Sequence, residues 1–368
     1  MKRITKIGDK IAWTLPESEV ESDALRQIYN VAALPEIKRM VILPDVHTGY
    51  DLPIGCAVLA AGCISPSFVG YDIGCGMLHQ NIGPDVDILA DEAGRREVYS
   101  RILEFIPVGL GGKFRKIQDC AEFESASGDK SLTRKVSDIA PVQVGTLGAG
   151  NHFIEIGLNN LGEYGITIHS GSRNAGHAIA SHYMALGRLF ELDSRNGRHY
   201  AEDMGWALDY ALENRKRMLE SVLRAIFSGA VPRFSAPFIN ENHNHAVILK
   251  RGEVLHRKGA TPADQGQLGI IPINQRDGTY ITRGLGNEAF LCSASHGAGR
   301  TMSRNAARKL IAPDRLAGQM RGIICRTDKS VCDEGPDAYK SADTVIARQN
   351  GLLVEVVDHF RPVLVVKG

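Results

Sequence analysis

The chain lacks any apolar stretch near the roughly 18 uninterrupted residues that a membrane-spanning helix needs. Its first nine residues carry charges in place of a hydrophobic leader core. Neither a membrane protein nor a secreted one is expected, and the reading is cytoplasmic, with no membrane partner. Cysteines are few: Cys56, Cys63, Cys75, Cys120, Cys292, Cys325 and Cys332. Their number is odd and no CxxC pair occurs. A disulfide framework is therefore not expected, and most should be buried small hydrophobes. Excess charge of one sign is also missing, since Lys+Arg is 43 against Asp+Glu 42. That balance excludes a disordered polyelectrolyte and a globally basic nucleic-acid coat, but not a local basic cleft. Aromatics are only 6%, yet hydrophobic residues reach 43%, enough for a packed core. No linker-like stretch and no internal repeat is visible. The chain is expected to form a single α+β domain over 1–368, with a polar surface excursion near 112–140.

Glycine is in excess, 39 of 368 residues, against a usual share of roughly 7%. The glycines cluster at 49–76, 145–150, 162–176, 252–286 and 297–299, where short β-branched runs end. Strands are predicted at 40–43, 68–73, 153–156, 166–168, 246–249, 269–273, 280–282, 352–357 and 363–366. Helices are predicted at 92–105, 175–188, 203–227 and 300–311. In the third of these, Trp206, Tyr210, Met218, Leu219, Val222 and Ile226 share a face, with Arg215, Lys216 and Arg217 opposite. Loops at strand ends on a rigid scaffold are where sites are usually built.

Chemistry-bearing side chains sit beside these glycines. His47, His152, His169, His243, His256 and His296 lie at predicted strand ends or tight turns, as do Asp72 and Cys75 in the run YDIGCGM. Imidazole, carboxylate and thiolate are the ligand set of a first-row transition ion. A thiolate that bridges two ions would suit a two-metal centre. The mixed hard and soft donors allow Mn, Zn or Co and argue against Mg or Ca. Taken singly, a histidine is more often a hydrogen-bonded surface or core residue, and His79, His177, His182, His199 and His359 are read that way. In SHGAGR, residues 295–300, His296 precedes Gly297, Ala298, Gly299 and Arg300. With a helix following, this resembles an anion cradle with an adjacent acid, base or nucleophile. Arg173, Lys258, Arg300 and Arg304 are candidates for a phosphate track.

These runs combine into a pattern that resembles the RtcB family of GTP-dependent RNA ligases. It is carried, in order, by LPDVH at 43–47, VGYDIGCGM at 69–77, GTLGAGNHFIE at 145–155 and IHSGSR at 168–173. HN at 243–244, RKGA at 257–260, GLGN at 284–287, SASHGAGR at 293–300, AYK at 338–340 and the terminal VKG follow. The resemblance implies an RtcB-like fold, with mixed sheets, flanking helices and a metal and nucleotide cleft. It implies an enzyme that joins RNA ending in a 3′-phosphate or 2′,3′-cyclic phosphate to RNA with a 5′-OH, in tRNA splicing or repair. GTP and manganese, two ions, are the implied cofactors, and an archease-type activator is an implied candidate partner. His296 would be the nucleophile that takes GMP, oriented by Asp45. Asp72, Cys75, His152, His169 and His243 would hold metal, with Cys75 bridging. Asn151, Phe153, Glu155, Asn274, Gly297, Ala298, Gly299, Tyr339 and Lys367 would surround the nucleotide, and Arg173 and Arg300 would contact phosphate. Asn274, Gln275 and Arg276 replace the small residues usual after the Ile-Pro strand, and Tyr50 and Asn174 also depart from the family. The altered 273–279 loop favours one alternative, a metal-dependent RNA-end phosphoesterase that does not use GTP; a second, a non-catalytic RNA-end binder, is argued against by His296 and the metal-ligand positions being intact.

Overall fold

Period-2 alternation builds the larger of two principal sheets. The computed structural model describes residues 7–229, 231–234 and 236–368; residues 1–6, part of the stretch read for a leader, lie outside these. Seven strands run in the order Leu268–Pro272, Thr279–Gly284, Val354–Lys367, Phe153–Leu158, Tyr164–Ser170, Gly76–Gly83 and Ile239–Asn242. Ile154, Ile156, Ile166, Ile168, Leu78, Leu364 and Val366 all point to one face, because strand side chains alternate. That face is covered by Val98 and Ile102 of the helix Glu92–Phe105, and by Met218, Leu219, Val222 and Leu223 of the helix Arg195–Ile226. The opposite face carries the intervening residues. Pairing sets Lys367 beside Phe153, Phe153 beside His169, His169 beside Met77, and Met77 beside Glu241. One row across five strands thus brings the C-terminal lysine to a histidine some two hundred residues earlier.

The second sheet has the order Ile11–Trp13, Ile37–His47, Ile54–Ala61, Glu253–Lys258 and Asn244–Ile248. One of its faces packs on Ala24, Ile28 and Val31 of the helix Ser22–Ala32. The other, with Val41, Leu43, Ala57 and Leu59, packs on Ile271, Ile273, Ala294 and Ala298. The molecule is a single α+β domain, and its site lies where the strand ends of the two sheets meet. No helix of the described residues is long and apolar enough to cross a membrane.

Several local expectations change. The run 68–73 is not a strand: Pro66–Val69 is a short helix, capped by the Ser65 side chain accepting from Phe68 N, with Pro66 at its start. The predicted strands 352–357 and 363–366 are one strand, Val354–Lys367, with an irregular register between Pro362 and Leu364. The predicted helix 203–227 begins earlier, at Arg195, and 300–311 shrinks to Arg304–Leu310, capped by Ser303. Segment 112–140 is only partly a surface excursion. The helix Lys130–Gln143 buries Leu132, Val136 and Ala140, spaced four apart, against the helix Arg173–Leu186 and the long helix.

Candidate active site

The strand Ile37–His47 loses its register with Ile54–Ala61 between Ile42 and His47. Pro44 has no N–H to continue a ladder. Lys340 Nζ fastens this bulge, donating to the carbonyls of Pro44 and Val46, each at 2.9 Å. Fully buried Asp45 is thereby aimed at His296, whose Nδ1 donates to Asp45 Oδ2 at 2.6 Å and whose backbone N–H donates to the same oxygen at 3.2 Å. That leaves Nε2 as the ring nitrogen available for chemistry. Gly299, at φ 73°, lies so close that a Cβ there would run into the Asp45 carbonyl. The HGAG turn is separated from the helix Arg304–Leu310 by residues 300–303, so its anion-binding potential rests on the turn itself and not on a helix N-terminus.

His243 lies next to His296, with ring centroids 4.7 Å apart. It belongs to a cluster with the buried Cys75, His152 and His169 and the partly exposed Asp72. Cys75 Sγ is 3.2 Å from His169 Nε2 and 3.5 Å from His152 Nε2. His152 Nε2 is 3.0 Å from Asp72 Oδ2, and His169 Nε2 is 3.3 Å from His243 Nε2. The Nδ1 atoms of His152 and His169 donate to the carbonyls of Leu147 and Asn151, at 2.9 and 3.1 Å. Those bonds turn both Nε2 lone pairs inward, the usual backbone orientation of metal-ligating histidines. Burial holds His169 and His243 well below the ordinary imidazole value and pushes the Cys75 thiol well above its own. Burial would also raise Asp72, but His152 and Arg173 hold it below the usual carboxylate value. Imidazoles, a thiol and a carboxylate converging within contact fit a transition-metal ion by donor chemistry.

On the other side of His296 opens a cavity of about 420 Å³, lined by Asn151, Phe153, Glu155, Asn274, Gly297, Ala298, Gly299, Arg300, Arg304, Tyr339 and Lys367, with His47, His169 and Gln275. Its size falls in the range of small-molecule sites, roughly 300–1,000 Å³. Lys367 Nζ lies over the Phe153 ring, 5.6 Å from its centroid, and donates to Asn151 O at 3.2 Å. Burial pushes the Glu155 carboxyl up to about 8, against smaller downward pulls from Thr279 and Lys367. Its Oε1 has no partner among the described residues, and neither does Gln275 Oε1. Gln275 Oε1 is an acceptor awaiting a donor, and the Glu155 carboxyl can accept and, while protonated, also donate. Asn274 is committed to its own loop, where Oδ1 accepts from the N–H groups of Arg276 and Asp277. Gln275 is thus the better-placed side chain of the altered loop.

Arg300 and Arg304 reach the cavity but are engaged by acids the sequence did not single out. Glu334, 3% exposed, pairs with Arg304 at 2.5 Å, Lys367 at 2.7 Å and Arg300 at 3.2 Å, and accepts from Tyr339 Oη at 2.6 Å. Burial opposes ionisation of Glu334, yet Lys367 and Arg304 hold its carboxyl below the usual value. Its charge therefore stabilises the fold above the ordinary glutamate pKa, and that contribution fades as pH falls through the lower folded value. Glu334→Gln is expected to cost on the order of 3–5 kcal/mol at pH 7, measured by urea unfolding. The gap from the wild type should narrow below about pH 4.5; a gap unchanged in acid would show that charge does not hold this network.

Arg173 starts its helix at φ 54°, a costly backbone for an L-residue, with its guanidinium between Asp72 and Gly148. Lys258 is buried behind the turn that carries Asp72 and Cys75, donating to Val69 O at 3.1 Å, with its pKa lowered to about 8 by burial. Nothing in the structure turns it toward the cavity. His256 is a structural partner, accepting from Ser65 N at 2.9 Å.

The largest departure concerns the long helix. Arg215 is not on a solvent face but fully buried, as is Asn214. Asn214 Oδ1 accepts from Gly145 N and Thr146 N, at 2.7 and 3.0 Å, and its Nδ2 donates to Thr146 O and Gly171 O, both at 3.2 Å. Arg215 Nη1 donates to Gly74 O and Ser170 O, both at 2.8 Å, while Nη2 and Nε donate to Asn242 Oδ1 and Asn240 Oδ1, at 2.7 and 2.9 Å. Two adjacent residues thus tie together the segments bearing Cys75, His152, His169 and His243. A signal was present: positions 214 and 215 fall on the stripe defined by Ala211, Met218 and Val222.

A thiol, imidazole and carboxylate cluster against a cavity with a carboxylate-held histidine is the arrangement a metal-assisted group-transfer enzyme would use. Comparison with known proteins agrees. The family described as tRNA-splicing ligase RtcB matches residues 27–136 and 114–368. The chain is 36% identical to an RNA-splicing ligase RtcB of Escherichia coli K12, covering 95% of each chain. It is 29% identical to a tRNA-splicing ligase RtcB of Nanoarchaeum equitans, covering 96% of this chain and 93% of that one. It is also 29% identical to an RNA-splicing ligase RtcB of Mycobacterium tuberculosis, covering 93% of this chain and 100% of that one. The chain belongs to the RtcB family.

Proposed function

We propose that this chain is a GTP- and manganese-dependent RNA ligase that joins a 3′-phosphate end, or a 2′,3′-cyclic phosphate end after opening by water, to a 5′-OH end. The observation that carries the reading is the pairing of His296 Nδ1 with Asp45 between the cavity and the His243 side of the cluster. Asp45 orients His296 so that Nε2 attacks the α-phosphorus of GTP; a P–N bond forms and pyrophosphate leaves. An oxygen of the RNA 3′-phosphate then attacks the same phosphorus, breaking the P–N bond and leaving the RNA end as a mixed pyrophosphate with GMP. The 5′-OH attacks that activated RNA phosphorus, the phosphodiester forms and GMP leaves. The activation is needed because a bare 3′-phosphate would have to expel oxide. Glu155 accepts from guanine N–H groups, Phe153 stacks on the base, and Tyr339, Lys367 and Asn151 border it. Arg173 and Arg300 neutralise phosphate charge. Asp72, Cys75, His152, His169 and His243 would hold manganese, which supplies Lewis-acid neutralisation of charge on the reacting phosphoryl oxygens.

Labelled GTP incubated with the protein and manganese should yield an acid-labile protein–GMP adduct that His296→Ala abolishes. The self-contained Asn274 loop is what favours a GTP-independent phosphoesterase. Absence of an adduct, with loss of cyclic phosphate from RNA, would decide for that reading, and absence of both activities would leave an RNA-end binder.

A further inference from the structure

We infer that Tyr50, Tyr71 and His177 form a stacking platform for the bases of an RNA strand entering the metal cluster, an inference that rests on the RNA-ligase reading above. The Tyr71 ring lies against Tyr50 edge-on, with centroids 5.7 Å apart, and is stacked on His177 at 4.8 Å and 18°. Tyr50 is 67% exposed, Tyr71 36%, and His177 is also exposed. Exposed rings are ordinarily loose, but these are presented on fixed backbone. Gln27 accepts from Gly49 N and donates to the carbonyls of Gly49 and Tyr50. The next residue, Asp51, is gripped by Arg188 at 2.7 Å and by Ser67 at 2.5 Å. A rigid aromatic surface left open to water is a feature of recognition sites.

Its position identifies the occupant. The metal-ligand candidates Cys75, His152, His169 and His243 are 2–4% exposed, whereas the Asp72 side chain is 33% exposed. The cluster therefore meets solvent at Asp72, the residue after Tyr71. On the other flank, His47 and Thr48, just before Tyr50, line the nucleotide cavity. Arg173 and His177 are four apart on the helix Arg173–Leu186 and so share a face. A phosphate held at Arg173 places the neighbouring base over the His177–Tyr71 stack. Stacking of this kind tolerates any sequence, since every base has a π-face.

The test uses two short single-stranded RNAs, one with 2-aminopurine beside its 3′-phosphate and one with it beside its 5′-OH, titrated with the protein without GTP. The wild type should quench one of them, which identifies the strand that runs over the rings. Tyr50→Ala should weaken binding and raise the RNA KM roughly five- to hundredfold, the factor one lost base–aromatic stack represents. Tyr50→Phe should retain wild-type values. An abasic nucleotide in place of the 2-aminopurine should weaken the wild type similarly and leave Tyr50→Ala no worse. Adduct formation on His296 with GTP should be unchanged in every variant. Unaltered quenching and RNA KM in Tyr50→Ala overturn the platform and leave the rings to a protein partner, even where the adduct forms normally. Failure of the adduct in the wild type overturns the ligase reading instead, while the quenching still decides the platform.

Discussion

Cys75→Ser is expected to lower metal affinity by at least roughly two orders of magnitude and ligation by at least as much. Loss of a residue that merely orients a ligand already costs about 10–100-fold. A serine hydroxyl fills nearly the same space but does not ionise at neutral pH, so it offers a weak neutral oxygen where a thiolate would bind. The site is not built to ionise Cys75 by itself: burial pushes the thiol well above its ordinary value, and Arg215 and Arg173 offset only part of that. A bound cation is the group able to reverse the balance. Titration of the protein with Mn2+, and with Co2+ to read thiolate-to-metal absorption, measures the effect without relying on turnover. Near-normal affinity in Cys75→Ser would remove Cys75 from the ligand set.

The second large effect is expected from Arg215→Met. Methionine approximates the aliphatic stem but donates to nothing, which strips Gly74 O, Ser170 O, Asn240 Oδ1 and Asn242 Oδ1 of a buried charged donor. Each orphaned polar group costs about 1–3 kcal/mol, and the terms are not additive. A total loss on the order of 3–5 kcal/mol in urea unfolding is expected. Protein that remains folded should bind Mn2+ about 10–100-fold more weakly, because the turn after Gly74, the strand end at Ser170 and the approach to His243 would no longer be tied together. Arg215→Lys should recover part of the stability and little of the metal affinity, since one ammonium does not span acceptors on three segments. Wild-type metal affinity in a folded Arg215→Met protein would show that the ligands need no such brace.

Much of the site was legible in the chain because its local geometry is written in glycine and in strand-end motifs. YDIGCGM, GNHFIE and SHGAGR place chemistry-bearing residues at sharp turns, and the structure brings those turns together. What escaped is long-range. Arg215 carries the same charge as Lys216 and Arg217, and a helix pattern read for polarity assigns it to water; only four partner acceptors from distant segments make its burial affordable. Glu334 precedes a Gly-Pro pair and looks like a loop acid until Lys367, Arg300 and Arg304 are found around it. Lys258 sits beside glycine as a phosphate-binding lysine would, yet its ammonium serves the Val69 carbonyl.

The sequence by itself determined the family and the α+β class and offered candidate residues for metal and phosphoryl chemistry, because these depend on residue type and short spacing. Tertiary structure decided which cations are already engaged by buried acids or carbonyls, and on which side the Asp72, Cys75 and histidine cluster opens. Those properties are set by contacts between segments tens to hundreds of residues apart. The register that seats Lys367 beside Phe153 and His169, and the packing that buries Arg215 while leaving Tyr50 in water, exist only once both sheets have closed on the long helix.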